Sequence, residues 1–285
     1  MDHIGEFFPD SPIWFQWLGR LAAPLFFYAL AVGFQHTRNR KKYLLRLYLA
    51  NVGMVFFNQI MCMLQRKLDY VAYQPKNHNI FTTLFCAGVL ICIWESRKEK
   101  KKFFTYIGIY IFWQAMVMGL AILAEAFDYV WRGNALLQTV LRTNYIFPLL
   151  GGIWDAEGGV FFIVLGIWLY CAVEKKGKLA LHYILFCGAY MFMCQGDILY
   201  RIMSRFSFWG YHKLADVIYF GSSFVGIPLG TSDLSLLTEF YQWMMIGALP
   251  IMLACNGKRG KSLKWLFYAA YPLQFLVLYG ISYYK

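Results

Sequence analysis

Three residues near the start of the chain are of types that do chemistry. Asp2 and His3 stand side by side, and histidine is the usual general base near neutral pH because its charge changes there. A carboxylate can orient such a base. Adjacent residues on a helix do not face each other, however, so Asp2 is a poor partner for His3 within one helix. On the residues alone, the pair is either part of a site or part of an exposed terminal tail. Arg20 is the third candidate. It falls inside PIWFQWLGRLAAPLFFYALAVGF, residues 12–34, an apolar run of bilayer length. A lone arginine in hydrocarbon costs at least about 2.5 kcal/mol, so it has to meet a bundle interior, water or an acidic partner. Gln16, four residues earlier, shares its face. Position leaves open both an anion contact and a structural or snorkelling role.

Other polar groups are weaker candidates. Asn51 and Asn58 are seven residues apart on one helical face, a pattern that more often joins helices than binds substrate. Glu239 and Gln242 share a face, and Asp197 and Arg201 are spaced for a local ion pair. Asp155 and Glu157 precede an apolar run, where acids suit the positive end of a helix dipole. The histidines His36, His78, His182 and His212 form no HExxH and no helical pair, so no metal is expected. The seven cysteines lie in or beside apolar runs without CxxC spacing, which argues for small buried hydrophobes rather than disulfides or zinc. Phosphate-loop, dinucleotide-binding and GxSxG patterns are missing from the sequence.

The elements that position these groups are apolar. Hydrophobic residues make up 60% of the 285 and charged residues only 15%, against roughly 25% charged in soluble domains. The expected fold is all-α: a polytopic transmembrane helical bundle of about 8–10 spans, forming one domain over residues 1–285. Eight runs stand out, near 12–34, 44–64, 80–94, 103–123, 158–173, 179–199, 236–255 and 265–284. Residues 135–154 read as a re-entrant segment or short helix, because Arg142 and Asn144 suit a lipid-facing span badly.

The net charge of +12 does not signal nucleic acid. Seventeen of the 27 Lys and Arg fall in four clusters between apolar runs, at 38–46, 97–102, 175–178 and 258–264. Placing all four in the cytoplasm makes the eight spans alternate, as the positive-inside rule requires. A strip for anionic lipid headgroups is a secondary use of the same charge. That topology leaves both chain ends outside and makes 65–79 and 200–235 the long external stretches.

MDHIGEFFP, GR-x3-PLFFYALAVGFQHTRN-x2-KYLLRL from Gly19 to Leu47, and NGKRGKSLKWLFYAAYPLQFLVLY at 256–279 resemble the TraX family. The family is known for N-acetylation of F-type pilin and is distantly similar to multispan membrane acyltransferases. The resemblance implies an integral protein of the bacterial cytoplasmic membrane. It would move acetyl from acetyl-CoA to a pilin N-terminal amine or a cell-envelope acceptor such as a glycan. It favours His3, with Asp2, as general base. Arg20 becomes a contact for acetyl-CoA or the developing oxyanion. Arg38, Arg40, Lys41 and Lys42 would meet the CoA phosphates. It also implies that Asp2-His3 ends a first transmembrane helix whose apolar half lies upstream of Met1. Gln274 stands where the family pattern has histidine, which points to binding or structure there rather than proton transfer. Two competing readings use the same residues. In one, a transporter is lined by Arg20, Asn51, Asn58 and Gln114; in the other, the chain is a non-catalytic assembly factor of a conjugation or envelope system.

Overall fold

Pro24 decides how the first apolar run folds. It has no N–H to give the carbonyl four residues back, and its ring crowds that carbonyl, which belongs to Arg20. The run accordingly divides into α2 (Trp14–Gly19) and α3 (Ala22–His36), with Arg20 and Leu21 in the turn between them. Arg20 is therefore at a helix junction within the apolar stretch Trp14–His36. The computed structural model describes residues 2–8, 10–68, 79–130, 143–154, 156–195, 201, 205, 211–228, 234–255 and 264–284.

Around this break run α1 (Asp2–Phe7), α4 (Arg40–Leu68), α5 (Ile80–Glu95), α6 (Lys100–Val130), α7 (Thr143–Leu149), α8 (Gly159–Ala172), α9 (Lys176–Gln195), α10 (Tyr211–Val225), α11 (Ala248–Ala254) and α12 (Lys264–Tyr284). Single 3-10 segments at Ser96–Lys98 and Gln242–Gly247 lead into α6 and α11. The fold is an all-helical polytopic bundle. Among the described residues, six stretches are long and apolar enough to cross a membrane: Trp14–His36, Arg40–Gln65, Ile80–Lys98, Lys100–Ala124, Lys176–Gln195 and Leu266–Tyr284. The other two expected runs form shorter apolar helices, Gly159–Ala172 and Gln242–Ala254. At 1.5 Å per residue α8 reaches only about 21 Å, short of a hydrocarbon core of roughly 30 Å.

Its shortness fits its place. α8 is the central helix, packed on α3, α5 and α9, with Ile163, Leu165 and Leu169 buried. Lipid tails are as apolar as leucine, so helices in a bilayer associate by close fit rather than by hydrophobic exclusion. Gly166 supplies that fit: a Cβ there would stand 2.9 Å from the Cβ of Ala87 and 3.1 Å from the Phe27 ring. The opposite extreme is the outer face of α6, where Ile111 is 62% and Phe112 72% exposed, an apolar surface suited to lipid.

Polar contacts gather the basic clusters at one end. Arg40 at the start of α4 bonds Glu95 at the end of α5 at 2.9 Å. The Tyr170 hydroxyl from the end of α8 donates to the same carboxylate. Lys176 at the start of α9 donates to the carbonyl of Leu253 near the end of α11 at 2.7 Å. Lys100 to Lys102 open α6 beside the Ser96–Lys98 turn. Residues 256–263 of the fourth cluster lie outside the described residues, and Lys264 begins α12.

After α7 the backbone of residues 150–154 leaves helical geometry within this bundle. Pro148 sits in α7 and Gly151 takes a φ of 66°, which frees a row of carbonyls. Side chains of α4, α5 and α6 claim them. Asn51 Nδ2 donates to Pro148 at 2.6 Å, the Tyr48 hydroxyl to Leu149 at 2.7 Å, and Trp113 Nε1 to Leu150 at 2.9 Å. Gln114 Nε2 donates to Gly151 at 3.2 Å, while its Oε1 accepts from the Ile153 amide at 3.0 Å. Cys86 Sγ approaches the Gly151 and Gly152 carbonyls at 3.6 and 3.8 Å. Irregular backbone survives at membrane depth when protein satisfies it in this way.

Asn51 is the hub, since its Oδ1 also accepts from Asn79 Nδ2 and Thr82 Oγ1, both at 2.7 Å. Replacing it with leucine takes the side-chain acceptor from Asn79 Nδ2 and Thr82 Oγ1 and the donor from the Pro148 carbonyl, in a fully buried place. Asn51→Leu is expected to cost about 2–4 kcal/mol, read as a clear fall in thermal midpoint in detergent. An unchanged midpoint would mean that these bonds do not hold the segment.

Candidate functional site

His3 is held, not loose. α1 packs on α2 and α12, and His3 is only 9% exposed. Its ring lies 4.4 Å from that of Phe275 at a tilt and 6.2 Å from that of Tyr271, edge to face. The exposed-tail alternative for this residue therefore fails. Asp2 opens α1 beside it. α1 can approach α2 closely because Gly5 has no side chain: a Cβ there would stand 2.9 Å from Cγ and Cδ of Gln16.

Tyr271 links this seat to a carboxylate. Its hydroxyl donates to Glu157 Oε2 at 3.1 Å, and the Glu157 carbonyl accepts from Thr83 Oγ1 at 3.1 Å. An imidazole, a phenol and a carboxylate thus come from α1, α12 and the turn before α8. Sequence reasoning found His3 and noted Glu157 only as a helix-end acid. It missed Tyr271 and Phe275, which read there as two more aromatics in a span. The one available signal was their i, i+4 spacing on a single face of α12. Gln274 lies between them in sequence and is half-buried. Asp155 and Asp197 are outside the described residues.

Arg20 borders a separate space of about 180 Å³, with Tyr190, Pro228, Glu239, Tyr241 and Gln242. Its guanidinium carbon lies 5.0 Å over the Tyr241 ring, a favourable cation–π position. The polar pair Glu239 and Gln242 singled out by spacing reaches the same wall. Residues 235–241 are a turn rather than the start of a helix, and this turn forms the wall. Glu239 accepts from the Ser235 amide at 2.8 Å, and Trp17 Nε1 ties the Leu237 carbonyl to α2 at 2.8 Å. A second space of about 390 Å³ shares Pro228 and is bordered by Ser222, Ser223 and Gly226.

A glycine crossing joins the two halves of the region. α10 is followed by Gly226, whose φ of 86° allows the amides of Gly226 and Ile227 to close back on Ser222 at 3.0 Å. That turn lies against Gly158 and Gly159, which have φ of 78° and 69° and begin α8 directly after Glu157. The Tyr190 hydroxyl donates to the Gly226 carbonyl at 3.3 Å. The His3 seat and the Arg20 cavity therefore flank one backbone contact.

The basic turn is divided. Arg40 is committed to Glu95 and lies 5.3 Å over the Phe34 ring. Arg38, Lys41 and Lys42 are exposed and available to an anion in water. Asn51 and Gln114, which a transport path would use, instead hold the backbone of 148–154. No group of three or more His, Cys, Asp or Glu suited to a metal occurs among the described residues.

A family model described as TraX protein matches residues 1–191 of the chain. That range carries His3, Arg20, the basic turn and Glu157; Tyr271 and the likeness of residues 256–279 lie beyond it. No curated protein and no solved structure matches.

Proposed function

Because the chain belongs to the TraX family, we propose that this multi-pass membrane protein is an acetyltransferase of the bacterial cytoplasmic membrane. It would transfer acetyl from acetyl-CoA to a pilin N-terminal amine or another cell-envelope acceptor. The observation that carries the reading is the seat of His3, an imidazole buried against Tyr271 and Phe275 one hydroxyl away from Glu157.

In this reading His3 takes the proton from the acceptor amine or hydroxyl as it attacks the thioester carbonyl. The carbonyl oxygen gains negative charge, the C–S bond then breaks, and the thiolate of CoA leaves and takes the proton back from His3. Tyr271 and Phe275 restrict the tilt of the imidazole, and Glu157 fixes the Tyr271 hydroxyl. Arg20 supplies positive charge to the developing oxyanion or to the donor. Arg38, Lys41 and Lys42 attract the phosphates from the cytoplasmic side.

The test is transfer of labelled acetyl from acetyl-CoA into membranes that contain acceptor, with and without the chain. Wild-type chain should label an envelope component, and Arg20→Gln should lower the rate about 10²-fold. The size of the effect on kcat relative to KM tells oxyanion contact from donor binding. Background labelling by the wild-type chain, together with no saturable binding of CoA, would remove the enzyme reading.

A further inference from the structure

The gap between α3, α4 and α12 contains a slot that the proposed reaction does not use. It has a volume of about 180 Å³ and is walled by Phe26, Leu30, Tyr43, Leu47, Leu84 and Tyr268. Its depth is set by the helices. Tyr43 lies three residues into α4 and Tyr268 four residues into α12, so both are about one turn from the basic end. Phe26 stands ten residues before the end of α3, roughly 15 Å inward. The slot therefore runs from headgroup level into the hydrocarbon layer.

A charge stands beside the two tyrosines. Arg46 lies with its guanidinium carbon 5.6 Å over the Tyr43 ring and also interacts with the Tyr268 side chain. Tyrosines at this level are typical of a membrane interface, where the ring is in hydrocarbon and the hydroxyl meets the headgroups. Past those hydroxyls the wall is aliphatic and aromatic. The flanking surface is also apolar and open: Leu45 is 54%, Leu49 58% and Leu266 61% exposed.

We propose that this slot is a binding site for one anionic phospholipid of the bilayer, with an acyl chain between α3 and α12 and the phosphate on Arg46, Tyr43 and Tyr268. Basic pockets between helices on the cytoplasmic side suit anionic headgroups. The pantetheine arm of CoA fits the slot less well. It would bring two amides past the tyrosines into a wall with no group to pair them, an unfavourable burial. An acyl chain has no such groups. The site lies against α12, which also carries the ring wall against which His3 lies.

Native mass spectrometry tests the assignment on the full chain, reconstituted in bilayers with equal amounts of phosphatidylglycerol and phosphatidylethanolamine and then released. The expected result is one retained phosphatidylglycerol in preference to phosphatidylethanolamine. Arg46→Gln should lower that preference about fivefold, and Arg46→Lys should keep most of it. Ala29, an exposed residue on the slot wall, gives a steric test. Ala29→Phe should reduce retention of both lipids without moving the thermal midpoint. Equal retention of the two lipids by wild type, or a preference that neither Arg46→Gln nor Ala29→Phe alters, overturns the site. Displacement of the lipid by added CoA assigns the slot to the donor instead and also overturns it. Loss of acetyl transfer in the other assays leaves this readout untouched, so the two proposals fail separately.

Discussion

His3→Ala is expected to reduce acetyl transfer by about 10²–10⁴-fold, the usual contribution of a positioned general base. The alanine variant alone does not settle the role, because the ring is also part of the packing between α1 and α12. His3→Phe separates the two. It keeps an aromatic ring beside Phe275 and Tyr271 but has no nitrogen to take a proton. The expected outcome is a chain that reaches the membrane at wild-type level, has a near-normal thermal midpoint and transfers acetyl no better than His3→Ala. Tyr271→Phe refines the result. It removes the bond to Glu157 and keeps the ring wall, so its effect should be well below that of either His3 variant. Wild-type rates in His3→Phe would sink the base assignment even if His3→Ala were inactive, since the loss would then belong to packing.

Much of this arrangement was legible in the residues, for identifiable reasons. A charged fraction of 15% with repeated apolar runs permits little besides a helical membrane bundle, and clustered lysines and arginines mark one set of helix ends. Hydropathy measures lipid compatibility rather than length of helix, so it read 158–173 and 236–255 as spans. One is a short helix with one face in the centre of the bundle and the other begins as a turn. Arg20 was visible as an expensive residue, but the break that Pro24 imposes on its carbonyl was the better clue to its place. Glu239 and Gln242 were found by spacing although their helical premise failed, because the turn brings both to the Arg20 cavity anyway. Tyr271 was not visible. In a chain with 20% aromatic residues, i, i+4 spacing with Phe275 recurs too readily to single it out, and tertiary contact is what marks one tyrosine as the neighbour of a histidine. The glycines 158, 159 and 226 were equally silent, since close backbone approach between distant segments leaves no periodic trace.

That glycine crossing carries the largest expected effect on folding. Gly159 has a φ of 69°, a conformation that costs an L-residue roughly 1–2 kcal/mol. A Cβ at Gly159 would also stand 2.7 Å from the Cα of Gly226 and from the carbonyl carbon of Val225. Backbone cannot rotate away as a flexible side chain can, so α10 would have to separate from the start of α8. At Gly226, with φ 86°, an added Cβ would fall on the carbonyl oxygen of Gly158. Gly159→Ala and Gly226→Ala are each expected to destabilise the chain by more than about 4 kcal/mol, through strain and overpacking together. The readout is loss of monodisperse protein in detergent. Gly177 and Gly188, where a Cβ meets nothing within 4 Å, serve as controls, and their alanine variants should behave as wild type. A partly folded Gly226→Ala chain is the informative case. The Tyr190 bond to the Gly226 carbonyl and the Pro228 wall of the Arg20 cavity would move with the crossing, whereas His3 rests on α12. Such a chain should lose the Arg20-dependent part of acetyl transfer before it loses the part that depends on His3. A Gly226→Ala variant with wild-type yield and rate would show that Gly158 and Gly226 do not meet in the working protein.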